Sequence, residues 1–156
     1  MSAALRLWQR CSRWPAGRWL YGRLICLKAP YFATIAPRFE ALGPERCEIA
    51  IPDRRRVHNH IGTVHAIALC NVAELCAGMM TDVTIPAGMR WIPKGMAVEY
   101  LAKARGTMHA SAAPERAAVE SAEGYAWPVT VRVRDDAGSE VFRARIEMWL
   151  SPRRRD

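Results

Sequence analysis

The sequence predicts an α+β domain in which an antiparallel sheet wraps around one central buried helix, with an amphipathic helical arm ahead of it. Three observations carry this expectation. Residues 64–80 are apolar in nearly every direction around a helix axis, the stretches that follow alternate apolar and polar side chains, and residues 1–28 mix Trp and Leu with regularly recurring Arg. A chain of 156 residues, 51% hydrophobic and 24% charged, has the size of one domain with a true core. The expected division is an arm over residues 1–28, the domain proper over 29–152 and a basic tail over 153–156.

In the arm, Arg6, Arg10, Arg13, Arg18 and Arg23 recur too often for a signal-peptide core or a membrane-spanning helix. Pro15 breaks the arm in two. Beyond it Trp19, Leu20, Leu24 and Leu27 share a helical side, which predicts a helix laid over the edge of the core, with an interfacial membrane contact as the sharper reading of the same side. Stable insertion into a membrane is not expected.

From Phe39 to Ile51 the side chains alternate, with Cys47, Ile49 and Ile51 on one side and Arg46, Glu48 and Ala50 on the other, which is strand periodicity. Pro52 and Asp53 open a basic loop, and Gly62-Thr63 marks a turn in which Thr63 is placed to cap a helix running from Val64 to about Met80. After turn residues at Pro86, Gly88, Pro93 and Gly95, Met96, Val98, Tyr100 and Ala102 alternate as a strand. Another strand is expected near Thr107 to Ala112, and the polar piece from Pro114 to Gly124 reads equally as loop or short helical turn. Trp127, Val129, Val131 and Val133, a turn at residues 135–138, and Phe142 to Leu150 form a hairpin.

The formal charge of +8 favours anionic partners. Arg54-Arg55-Arg56 and Arg153-Arg154-Arg155 supply much of it, but no aromatic residues interleave with them as a single-strand stacking platform requires, so nucleic acid is not an expected partner. The five cysteines are scattered and form no C-x-x-C pair, which suits reduced, buried thiols in the cytoplasm. His58, His60 and His65 lack a recognised metal spacing, and neither a metal nor a cofactor is expected.

Glu74 is the most informative residue, because an ionised carboxylate in an apolar helix needs a partner or a solvated cleft. His65 lies nine positions earlier, about 13 Å along the axis and on the opposite side. One chain does not bring the two together, but a two-fold dimer with such helices side by side sets His65 of one copy near Glu74 of the other. The backbone N–H groups of Val64, His65 and Ala66 at the helix start suit a carbonyl that becomes an oxyanion, and the Asn59 amide lies just upstream.

The pattern Asn59, Gly62-Thr63, His65 and Glu74 resembles the Asn-x-x-Gly-Thr-x-His stretch, followed nine residues later by an acid, of hotdog-fold acyl-CoA thioesterases of the phenylacetate-pathway type. The specific part of the likeness is residues 59–74, while the order of elements agrees over roughly residues 30–150. The resemblance implies a hotdog fold and hydrolysis of an acyl-coenzyme A at a dimer-interface site, in a homodimer or a dimer of dimers. It assigns catalysis to Glu74, Asn59 and His65 and carbonyl polarisation to the backbone of Ala66, with Val64 added as a donor by its place at the helix start and Gly62 and Thr63 taken as walls of the substrate site. Arg54, Arg55 and Arg56 are placed to grip coenzyme A phosphates.

Three departures mark this chain: Ala66-Ile67 stands where Gly-Gly is usual, Glu74 replaces the commoner Asp, and no Ser or Thr match follows the helix. In place of that match is the bulky, basic run Met89 to Gly95, read as a strand lead-in or as a lid over the acyl pocket. Alternative readings are a non-catalytic acyl-CoA binding or regulatory protein, a hydratase or dehydratase of the same fold, and a protein or membrane adaptor in which the Trp-rich arm is the working surface. The proline-rich segment of the carrier-protein dehydratases is absent after His65.

Overall fold

A computed structural model describes residues 2–153. The arm forms two helices, α1 (Ala3–Cys11) and α2 (Gly17–Lys28), separated at residues 12–16 and followed by a 3-10 turn, Pro30–Thr34. Six strands follow: β1 (Arg38–Gly43), β2 (Arg46–Ile51), β3 (Met89–Tyr100), β4 (Met108–Pro114), β5 (Tyr125–Arg134) and β6 (Glu140–Pro152). The central helix, α3 (Ala66–Thr84), lies between β2 and β3 in the chain. All the strand pairings are antiparallel, in the order β1-β2-β4-β5-β6-β3.

Alternation decides which side of the sheet meets α3. Cys47, Ile49 and Ile51 on β2, Val129, Val131 and Val133 on β5, and Phe142, Ala144, Ile146 and Met148 on β6 are buried. They pack with Val72, Ala73, Cys76 and Met80 of α3 in one core. The arm is fastened to this core by an aromatic stack in which Trp8 meets Tyr21 edge-on at 5.2 Å and Tyr21 meets Phe39 at 4.8 Å. Each such pair contributes about 0.5–1.5 kcal/mol beyond its buried area.

Several boundaries differ from expectation for local reasons. Helix α3 begins at Ala66, later than Val64, and runs on to Thr84, because His65 and not Thr63 is its N-cap: the His65 Nδ1 accepts the Ile67 N–H at 3.0 Å. β3 starts at Met89, seven residues before the expected Met96, and a bulge between Pro93 and Gly95 absorbs the turn-like residues. An edge strand tolerates that proline, since one side of its backbone needs no sheet partner. Residues 115–124 contain no helix or strand. They are held by Trp127 Nε1 donating to the Arg116 carbonyl and by the Tyr125 hydroxyl donating to the Val119 carbonyl.

Two burial expectations are corrected. α2 turns Tyr21, Gly22 and Cys26 inward and leaves Trp19, Leu20 and Leu27 exposed, so most of the side expected to cover the core faces outward. α3 is not buried all round, since Ile67 and Glu74 form an exposed stripe seven residues apart. The five cysteines are free thiols, and Cys70 alone among them is only partly buried. Of the basic tail, Arg153 donates from Nε to the Met89 carbonyl, and residues 154–156 lie outside the described residues.

Candidate functional site

The loop ahead of α3 is built around Asn59. Its Oδ1 accepts the N–H groups of Ile61 and Thr63, both at 3.1 Å, and its Nδ2 donates to Thr63 Oγ1 at 2.8 Å. The left-handed φ of Gly62, +73°, lets the chain close that ring, and Thr63 ends up buried within it. His58 bonds Asp53, whose second oxygen accepts the Gly106 N–H at 2.7 Å. The His58 bond, joined by that N–H, holds the Asp53 carboxyl below its ordinary range, with burial opposing. The loop therefore enters α3 as a pinned structure.

At the helix start the backbone donors are unequal. The Val64 N–H donates to the Ala104 carbonyl at 2.9 Å and the His65 N–H to the Val57 carbonyl at 2.7 Å. Val64 is thus corrected as a candidate oxyanion donor, because its N–H is committed within the protein. Among the described residues the Ala66 N–H meets no acceptor, and it opens a helix whose dipole favours negative charge there.

Around this end lies a small hollow of about 180 Å³, walled by Tyr31, Thr34, Arg56, His65, Ile67 and Asn71 among others. Asn71 is 7% exposed, and its Oδ1 is buried without a partner. The Thr34 hydroxyl donates to the Tyr31 carbonyl at 2.8 Å, so its oxygen accepts from Asn71 Nδ2 at 3.1 Å, which fixes the amide with Oδ1 as the buried, unsatisfied acceptor. Arg54, Arg55 and Arg56 are all exposed, but Arg54 borders a different hollow, beside Trp19 and Arg38.

Glu74 lies in neither hollow. It borders a third, mainly apolar groove of about 360 Å³, walled by Ile25 and Phe32 from the arm, Leu75 and Met79 from α3, and Trp91 from β3. Its carboxylate is exposed and has no hydrogen bond or ion pair among the described residues, which corrects the expectation of an acid held inside the protein. The helix stripe carrying it runs beside β3. Cys70 Sγ lies 3.4 Å from the Tyr100 hydroxyl, and the Trp91 ring lies over Gly78, where a Cβ would come within 2.8 Å of it. Glu74 is between these two contacts in the helix, next to the sheet's unpaired edge.

The structure therefore brings Asn59, Gly62, Thr63 and His65 together at one end of α3 and leaves Glu74 about 13 Å farther along the axis. Sequence reasoning passed over Asn71 and the arm residues that wall the Glu74 groove. Asn71 had a signal, being a second polar side chain in the apolar helix three residues before Glu74. Ile25 and Phe32 had none, because only folding brings the arm across α3.

No curated protein matches this chain by sequence. Among solved structures, a crystal structure from a genomics programme, whose name states no activity, is 46% identical, with a TM-score of 0.82 over 96% of this chain and 98% of its own. A Pseudomonas aeruginosa protein of unknown function, described as a probable thioesterase, is 20% identical, with a TM-score of 0.73 over 83% of this chain and 92% of its own. A Haemophilus influenzae thioesterase is 14% identical, with a TM-score of 0.68 over 78% of this chain and 82% of its own. At those identities the last two share the fold, and the six-stranded antiparallel sheet around α3 is the hotdog fold. The family model described as a domain of unknown function, DUF4442, matches residues 17–150, and the chain belongs to that family.

Proposed function

We propose that this protein is a thioesterase that hydrolyses an acyl-coenzyme A to a carboxylic acid and coenzyme A, at a site completed by a second copy of the chain. The observation that carries the reading is Glu74: an exposed carboxylate without a partner among the described residues, on a largely buried helix, at the rim of an apolar groove and beside a sheet edge. The fold shared with proteins named thioesterases supports it.

β3 is twelve residues long and exposes Ile92, Met96 and Tyr100 along an edge that no strand covers among the described residues. Such an edge invites pairing with another chain. Antiparallel pairing of β3 with its copy sets the two α3 helices side by side and turns Glu74 of one toward the Ala66 end of the other.

Glu74 takes a proton from water, the water oxygen attacks the thioester carbonyl carbon, and the negative oxygen is held by the partner's Ala66 N–H and helix dipole. The C–S bond then breaks, and Glu74 returns the proton to the departing sulfur, releasing the carboxylic acid and the thiol. The acyl group occupies the groove beside Glu74. The pantetheine arm lies in the hollow at the helix start, where Arg56 faces the phosphates. Asn59 and His65 shape that end, the first by closing the loop and the second by capping the helix. Five free thiols fit a cytoplasmic protein.

A mixing experiment tests both the chemistry and the sharing. Glu74→Gln removes the base, and Ala66→Pro removes one N–H at a helix position that tolerates proline. Each variant alone should lose at least about 100-fold in thiol release from acyl-CoA esters. Refolded together in equal amounts, they should recover about a quarter of wild-type activity, because each mixed dimer holds one intact site. Full activity in Glu74→Gln overturns the catalytic role, and absence of recovery overturns the shared site.

A further inference from the structure

We infer that the outer face of the arm is a docking surface for an anionic lipid bilayer, which the protein binds peripherally. Residues 1–39 hold seven basic side chains and no acid; the first carboxylate of the chain is Glu40. Within the same segment are the most exposed large apolar side chains of the described residues: Leu27 at 79%, Trp14 at 73%, Tyr31 at 67% and Trp19 at 60%. On α2, Trp19, Leu20, Arg23 and Leu27 fall within an arc of about 100°. Arg23 lies over the Trp19 ring, 5.8 Å from its centre.

This face is not a loosely attached tail. The opposite side of α2 carries Tyr21 into the core, clasped between Trp8 and Phe39, so Trp19 stands on a rigid platform. Aromatic and aliphatic side chains interleaved with arginine suit the boundary between lipid headgroups and acyl chains, the arginines meeting phosphates while the rings enter the interface. A second copy meeting this face with its own like face sets Arg13, Arg18 and Arg23 against themselves, which charge repulsion opposes.

The test is co-sedimentation of the full chain with vesicles of phosphatidylglycerol and phosphatidylcholine, against vesicles of phosphatidylcholine alone. Binding to the anionic vesicles is expected, with a blue shift of tryptophan emission, and it should weaken strongly between 50 mM and 500 mM salt, as screening requires. The combined Trp14→Ala, Trp19→Ala and Leu27→Ala variant should bind at least about tenfold more weakly, and so should the combined Arg13→Glu, Arg18→Glu and Arg23→Glu variant. All these side chains are exposed, so circular dichroism and melting should match wild type. Failure of the wild type to bind anionic vesicles at low salt overturns the inference. So does a wild-type assembly that shrinks in the Trp/Leu variant, which would place a second copy on this face.

Discussion

The two ends of the exposed α3 stripe are built on opposite plans. At the helix start nearly every polar group is committed: Asn59 makes three hydrogen bonds inside its own loop, His65 caps the helix, and Val64 is tied to Ala104. Two and a half turns later Glu74 has no hydrogen bond or ion pair among the described residues. A side chain that closes a loop supports geometry, and removing it is felt as lost stability. A carboxylate held in the open beside an apolar groove adds little to the fold, so under the proposed function its removal is felt as lost chemistry. On the proposed reading, the motif residues 59–74 divide into a scaffold that positions one N–H, on Ala66, and a reactive group, Glu74.

That contrast is most open to breakage at Glu74. Glu74→Gln should lower thiol release by about 100-fold or more while its free energy of unfolding, from urea titration, stays within about 0.5 kcal/mol of wild type. A large loss of stability would mean that the carboxylate is structural. Asn59→Ala should do the reverse in proportion. It strips three hydrogen bonds from a part-buried loop and should cost about 1–3 kcal/mol in the same titration. Gly62→Ala strains the same ring through its left-handed backbone and should cost about 1–2 kcal/mol.

Farther along the stripe, Gly78→Val should disturb the groove rather than the reaction. A Cβ at this position meets the Trp91 ring at 2.8 Å, so the ring must move against the groove wall. The acyl-chain profile should shift severalfold, with shorter chains less affected. An unchanged profile would detach the groove from acyl binding.

The smallest effect lies away from the site. His109 bonds Glu40 and Asp136, each at 3.2 Å. Burial draws its pKa down, but those two carboxylates outweigh it, and the net shift is upward from 6.5. A raised histidine stabilises the folded state fully below its unfolded value, and that contribution fades as pH rises through the folded value. Wild-type stability should therefore decline slightly above about pH 6.5. His109→Gln should flatten this slope without touching thiol release, and an unaltered slope would remove His109 as its source.

The hairpin of β5 and β6 was legible because alternation over Trp127 to Val133 and Phe142 to Leu150 is dictated by one buried and one wet side of a sheet. The helix that carries Glu74 was legible from its density of apolar residues. Its wet stripe was not, since a composition that is apolar all round does not say which direction lacks a neighbour. In α2 the same limitation inverted the expectation: Trp19, Leu20 and Leu27 do share a side, yet the core takes Tyr21, Gly22 and Cys26.

Periodicity, turn residues and the spacing of Asn59, His65 and Glu74 are local properties, written in side-chain shape and hydrophobicity along the chain, so the elements and the candidate residues could be read without coordinates. Which side of an amphipathic helix is covered, and which donors still have a free hydrogen bond, depend on distant segments. The arm crossing α3, Ala104 taking the Val64 N–H and Thr34 turning the Asn71 amide are contacts between residues far apart in the chain. Only the folded structure decides them, because burial and hydrogen-bond pairing are properties of neighbours in space.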